Sequence, residues 1–495
     1  MTKKLGILLA VIVALAMCKP TEQTTSTDTT GTTTTTTTDA GTVTYVAIDP
    51  SVFASAATIN GWINANPIDQ AAIDAHRWSI WQGMTAPSGQ TLNGTPLPVW
   101  ETWYDTTTVF ADAVLPVNAS AAVKGSRLAD LSQVHEKRRF TRPVQNVKHG
   151  VRTGTNGQLA GAVLSFNRFT QEMRDHIWKN QYYNSSVLTA LNQKFDQDGT
   201  PIGQRTVLQF PDHSIALKPV FWIADATTTT PMPYWNGTGT NATSNPQNPT
   251  PDTWKQCVLL DPTGTATNQN PITCNGATIP GGQYQVVKIN KDPSQSGLYA
   301  FQLTAAEATQ LNTLLGNDLG QMYGLSTLEA GDYAIFVATH VATREIDNWT
   351  WQTFWYTPTP SAMPSQPPGA QGAPSSISAP WNNYASCTAY YMVTPPNDPN
   401  GQQFLCYNPY LETGLTGLDN KDQSITDGVG IQTNCMTCHR AAVWNPSNAN
   451  PPYAIDFNLD PSDPLWFKGV TKLEFSWATQ AHAHTGPFLP PPGNP

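Results

Sequence analysis

The five residues Cys435-Met436-Thr437-Cys438-His439 constrain this chain more than any other stretch. Their spacing is C-x-x-C-H, two thiols three positions apart with an imidazole directly after them. Those groups can add across the two vinyl groups of one haem and set the histidine beneath its iron. A chain that carries such a group must fold around a flat, largely apolar plate. Other uses of paired cysteines fit less well. A zinc site would want a second ligand pair at motif spacing, and the sequence offers none. A thioredoxin-like site would sit in a βαβ context, whereas both flanks here read as loop. The expectation is one covalent haem c held by Cys435 and Cys438, with His439 as the proximal iron ligand.

The N-terminus agrees with export, which such a cofactor requires. Met1-Thr2-Lys3-Lys4 leads into an apolar run from Leu5 to Met17. A basic start and a short apolar stretch make a signal peptide rather than a membrane span. Leu15-Ala16-Met17-Cys18 resembles a bacterial lipobox, so Cys18 is expected to carry lipid as the first mature residue. Met17 departs from the small residue usual before that cysteine. Lys19, in place of Asp, points to the outer membrane, facing the periplasm or the cell surface. A soluble periplasmic or secreted protein is the alternative. The stretch Thr24 to Thr44, unbroken threonine from Thr32 to Thr38, has too few apolar residues for a core and reads as a disordered tether. The expected organisation is therefore 1–17 signal peptide, 18–44 lipidated cysteine and tether, and 45–495 globular haem-binding body.

Four of the seven cysteines remain, as two local pairs. In an oxidising compartment Cys257–Cys274 and Cys387–Cys406 should be structural disulfides. Charged residues make up only 12%, with 16 Trp and 41 Pro, which suggests a rigid, loop-rich, aromatic-packed body. The net charge of −9 argues against nucleic acid and leaves room for a basic redox partner. Gly-x-Ser-x-Gly is absent, so a hydrolase built on that turn is not supported.

Periodicity divides the body into an early helical part, 45–205, and a later strand-rich part with the haem segment, 206–495: an α+β class, as one large body or two intimate halves. Helices are predicted from Ser51, with Asp49 or Ser51 as cap, over 69–84, within 165–195, and over 304–315. Strands are predicted over 214–223, with Pro219 marking an edge or a bulge, over 283–289, and over 332–343. A short apolar run holds Val207, Leu208 and Phe210. The basic segment 126–160 and the stretches 225–252 and 358–382 read as loops.

No methionine follows Met436, and the prolines after His439 do not suit a long closing helix. A detachable small-cytochrome module is therefore not expected, and the haem belongs to the larger body. Its sixth ligand is water, absent, or one of His340, His482, His484, His76, Met392 and Met363. His340, inside the apolar run Tyr333–Val341, ranks first as distal ligand or distal base, beside the plainer role of a packed histidine.

Several segments resemble a large, poorly characterised family of exported bacterial monohaem cytochromes c. They include His76-Arg77-Trp78-Ser79-Ile80-Trp81, Pro98-Val99-Trp100-Glu101-Thr102-Trp103-Tyr104 and Ser165-Phe166-Asn167-Arg168. Ser214-Ile215-Ala216-Leu217-Lys218, Thr339-His340-Val341, Trp349-Thr350-Trp351-Gln352-Thr353-Phe354, Asn408-Pro409-Tyr410 and the haem motif complete the resemblance. It spans most of residues 70–445 and implies an exported single-haem protein, without naming a reaction. Three functions stay open: single-electron transfer with a redox protein or a small donor or acceptor, a haem peroxidase or oxygenase, and haem-based ligand sensing.

Overall fold

A computed structural model describes residues 43–110, 138–142, 164–237, 251–362, 369–412, 434–444 and 458–485. The expected signal peptide, Cys18, nearly all of the tether, most of the basic segment 126–160 and Met363 lie outside the described residues.

Two apolar, β-branched and aromatic runs build the centre of the fold. They are Ile215–Ala224 and Tyr333–Thr343, paired antiparallel along their length. Around them forms a nine-stranded antiparallel sheet: β1 Tyr104–Asp105, β2 Leu164–Ser165, β3 Arg168–Phe169, β4 Ile215–Ala224, β5 Ala300–Gln302, β6 Tyr333–Thr343, β7 Thr350–Tyr356, β8 Gln371–Gly372 and β9 Tyr384–Ala389. The order is β8-β9-β7-β6-β4-β3-β1, with β5 also on β6 and β2 also on β4. Strands from both sides of residue 206 share this sheet, and the described residues form one compact unit. With its helices, the molecule is a mixed α+β body.

Pro219 lies inside a central strand, not at an edge. On one side β4 meets β3 at Ala216–Leu217 and β2 at Val220–Phe221, so Lys218 and Pro219 fall in the gap between two short strands. On the other side the register with β6 shifts at Phe336/Ala338. The missing proline donor is thus accommodated without an orphaned ladder.

Helices flank the sheet, with the helix Gln70–Thr85 on the Phe354 face and Met173 of the helix Gln171–Lys179 on the opposite one. Helix α1, Ala56–Ile63, starts later than the sequence suggested: Ser55 is its cap, and Asp49 instead caps a single 3-10 turn at Pro50–Val52. Proline at the first position of that turn favours its start there. Helix α2, Gln70–Thr85, is capped by Asp69 as its pattern requires. Its Trp81 is fully buried and stacks on Phe354 at 4.3 Å. Residues 165–195 hold strands β2 and β3 before helices α3, Gln171–Lys179, and α4, Ser185–Gln197, rather than helix throughout. Helix α5 is Ala305–Leu315, opened by a Thr304/Glu307 capping box. The run Val207–Phe210 is no strand, and the 225–252 segment contains one at Thr230–Pro233. That strand joins Cys257–Asp261 and Val286–Lys288 in a small sheet, beside the Cys257–Cys274 disulfide.

Beneath the aromatic core sits a buried charge pair. Arg138 donates from Nε and Nη2 to Glu101 at 3.1 and 2.6 Å, and Tyr299 donates to the same carboxylate at 3.0 Å. The Arg138 guanidinium also lies 3.5 Å over the Phe301 ring. Removing one partner leaves the other charge stranded in apolar surroundings. Arg138→Met should therefore cost about 3–5 kcal/mol, read as a lower urea midpoint with an unchanged slope.

Candidate haem centre

Register puts a polar row on the sheet face turned away from α2. His340 of β6 stands opposite Lys218 of β4 and Thr353 of β7, and Thr353 stands opposite Cys387 of β9. Directly opposed residues share a face. The next row on that face is Ala216, Ala342 and Trp351. Phe354, one position along from Thr353, points the other way, into the α2 core.

Three anchors draw the motif onto this face. The Cys387–Cys406 disulfide ties β9 to the segment before the motif. Asn408 donates from Nδ2 to Thr353 Oγ1 at 2.7 Å and to the Phe354 carbonyl at 2.9 Å. Asn434 donates to the carbonyls of Met392 and Phe404 at 2.9 and 2.8 Å, while its Oδ1 accepts from Thr437 N at 3.0 Å. That last bond caps the short helix α6, Cys435–Arg440. Cys435 and Cys438 lie one turn apart on it, both buried and neither in a disulfide. Burial pushes the Cys435 thiol well above its ordinary range.

His439 is held by its other nitrogen. Nδ1 lies 2.9 Å from the Phe475 carbonyl, which can only accept, so Nδ1 carries the hydrogen and Nε2 keeps its lone pair. Burial pushes the imidazole down to about 3 and keeps it neutral, the form a metal needs. The Trp351 ring lies 4.2 Å from it, and Trp477 Nε1 donates to the Cys438 carbonyl at 3.2 Å.

The Phe475 carbonyl is aimed by unusual backbone. Glu474 and Phe475 have φ of 47° and 67°, and Trp349 across the site has 60°. Left-handed conformations cost non-glycine residues about 1–3 kcal/mol each and persist where the surroundings dictate them. Here Arg344 Nε holds Glu474 Oε1 at 3.1 Å, Phe210 N donates to Oε2, and Leu473 N donates to the Ala442 carbonyl at 3.0 Å.

Cys438 and His439 line a cavity of about 470 Å³. Its apolar wall includes Phe169, Met173, Trp351 and Phe475, and its polar end holds Lys218, His340 and Glu412. The size is that of a cofactor pocket, and the donor set is two thiols and a neutral imidazole on one turn. These residues fit a covalently attached haem. His340 Nε2 is 3.3 Å from Glu412 Oε2. Loss of water pushes the Lys218 ammonium down to about 8, with Glu412 and Cys438 opposing the shift. Among the described residues, no three His, Cys, Asp or Glu side chains gather as a metal cage.

Of the expected sixth ligands, His340 and His482 line the cavity. His484 does not, and its Nε2 lies 3.0 Å from the Phe110 carbonyl. His76 is on the α2 face, 2.6 Å from the Tyr390 hydroxyl and 3.0 Å from Glu345. Met392 is buried away from the cavity wall. Met173 lines the cavity, and its helical spacing does not distinguish it from plain core. Lys218 was missed too, although a lysine inside an apolar strand was its visible signal. Glu412 carried no local signal.

No protein-family model matches this chain, and the comparisons found no similar curated protein or solved structure.

Glu474 supplies a pH test of the strained turn. Burial outweighs Arg344 and pushes its carboxyl from 4.5 up to about 7. The folded chain keeps that proton where the unfolded chain has lost it. The stability it gives is full below about pH 4.5 and is lost as pH rises to about 7. Glu474→Gln should flatten the fall in unfolding free energy between about pH 5 and 8, a change on the order of 1–3 kcal/mol, measured by urea titration at each end.

Proposed function

We propose that this chain is an exported, membrane-tethered monohaem cytochrome c that carries single electrons. Cys435 and Cys438 would hold the haem by thioethers, and His439 Nε2 would ligate its iron. When bound, the haem supplies a one-electron ferric/ferrous couple. The observation that carries the reading is the His439 Nδ1 contact to the Phe475 carbonyl, on a turn from which Cys438 and His439 line a cavity of cofactor size. That bond fixes the ring and its tautomer before any ligand arrives. Aromatic and aliphatic walls exclude water, and dense packing around the ring limits rearrangement between redox states.

Export fits the same reading, because thioether attachment keeps haem in place outside the cell. The leader 1–17 and lipidated Cys18 would deliver the body to the outer membrane, and residues 18–44 would let it stand off. The resemblance to exported monohaem cytochromes c is in keeping with this. No helix among the described residues is long and apolar enough to cross a membrane. The partner would be a redox protein or a small electron donor or acceptor.

One observation favours a second reading, a haem peroxidase or oxygenase. Lys218, His340 and Glu412 meet at one end of the cavity. His340, backed by Glu412, could take a proton from a bound substrate and return it.

Spectra of the haem-loaded protein separate the two. A relay should titrate reversibly by one electron and ignore carbon monoxide and peroxide. His340→Ala should then leave its low-spin spectrum intact unless His340 is the sixth ligand, in which case the mutant turns high-spin. A high-spin haem that binds both ligands would move the assignment to catalysis.

A further inference from the structure

The aromatic contact on His439 continues outward. From Trp351 the next ring is Trp349 at 6.3 Å, and from Trp349 it is Phe210 at 5.6 Å. Trp349 and Phe210 are each 2% exposed. Two positions before Phe210 stands Leu208, 63% exposed, one of two exposed large hydrophobics among the described residues. Gln209, Pro211, Asp212 and His213, which follow it closely in the chain, are exposed as well. Gln209 reaches Asp347 Oδ1 at 3.4 Å, which brings a second carboxylate to this patch. The side chains of Asp212 and Asp347 are 78% and 85% exposed. Arg344, which pairs with both, is only 7% exposed. The charge shown to solvent there is therefore mainly negative, on a chain of net charge −9.

We propose that this face docks a basic one-electron redox protein, with Phe210, Trp349 and Trp351 forming the route between that partner and the haem. The inference rests on the cytochrome reading above and names its partner. Bound haem would supply one electron, the three rings would lie on its path, and the partner's oxidised centre would accept it, with no proton or bond exchanged. Redox encounters are brief and bury little surface. An exposed leucine on the same segment as exposed carboxylates suits that: the carboxylates steer a cationic partner, and the leucine makes the dry contact. The aromatic column that ends at Phe210, two positions from Leu208, distinguishes a redox partner from a purely adhesive one.

The test uses the full, haem-loaded chain, reduced and mixed in stopped flow with oxidised basic cytochrome c, and separately with ferricyanide as an anionic acceptor. The rate with basic cytochrome c should fall steeply with added salt. Asp212→Asn with Asp347→Asn should lower it on the order of tenfold at low salt, and should leave the haem potential and spectrum unchanged and the ferricyanide rate no lower. Trp349→Leu should slow transfer to the cytochrome severalfold at an unchanged potential. The charge variant, whose exposed amides can still accept from Arg344 while its potential and spectrum report on the site, decides the matter should the tryptophan variant fold poorly. Rates that ignore salt and both substitutions, in a protein that carries haem, would overturn this docking face alone. A protein without covalent haem would overturn the cytochrome reading itself.

Discussion

The hydrogen bond from His439 Nδ1 to the Phe475 carbonyl is the interaction on which the candidate centre depends. It decides which imidazole nitrogen keeps a lone pair and which way the ring lies. Its acceptor sits on two consecutive left-handed residues, held by Arg344 and by backbone bonds to the turn after α6. Local strain at a cofactor site is sustained by rigid surroundings, and here those are the sheet and the turns packed on it. Trp351, on β7, presses on the same ring.

The sheet separates two tasks by alternation. One face, with Phe221, Phe336 and Phe354, packs against Trp81 of α2 and makes the aromatic core. The opposite face carries Lys218, His340, Thr353 and Cys387 in a single row. Each polar group on that row finds a purpose. Thr353 receives Asn408, Cys387 anchors Cys406, His340 meets Glu412, and Lys218 lines the cavity. A one-residue slip in register would exchange the two faces. The long pairing of β4 with β6 opposes such a slip.

Features that rest on local chemistry were legible in the sequence. The motif at 435–439 sits on one helical turn, both disulfides pair neighbours in the chain, and Asp69 caps α2. Strands β4 and β6 were visible as continuous apolar runs, as buried strands are. Features set at a distance were not legible. Strands β2 and β3 are two residues long, so they have no periodicity to read. Pro219 suggested an edge or a bulge; the register does shift nearby, but the gap between those two strands could not be foreseen. Glu412 meets His340, and Phe475 meets His439, only after the chain has closed. Phe53 and its neighbours read as helix, but the turn that Asp49 caps runs only over Pro50–Val52 and Phe53 is extended.

The central claim is that Cys435 and Cys438 carry one haem. Tandem mass spectrometry of the peptide spanning both cysteines, from protein exported by a host with a haem-attachment system, tests it most directly. The account predicts a peptide heavier by one intact haem, bound through both sulfurs, that survives denaturation and acid extraction. Two unmodified thiols, or a disulfide between them, in protein from that host would contradict it.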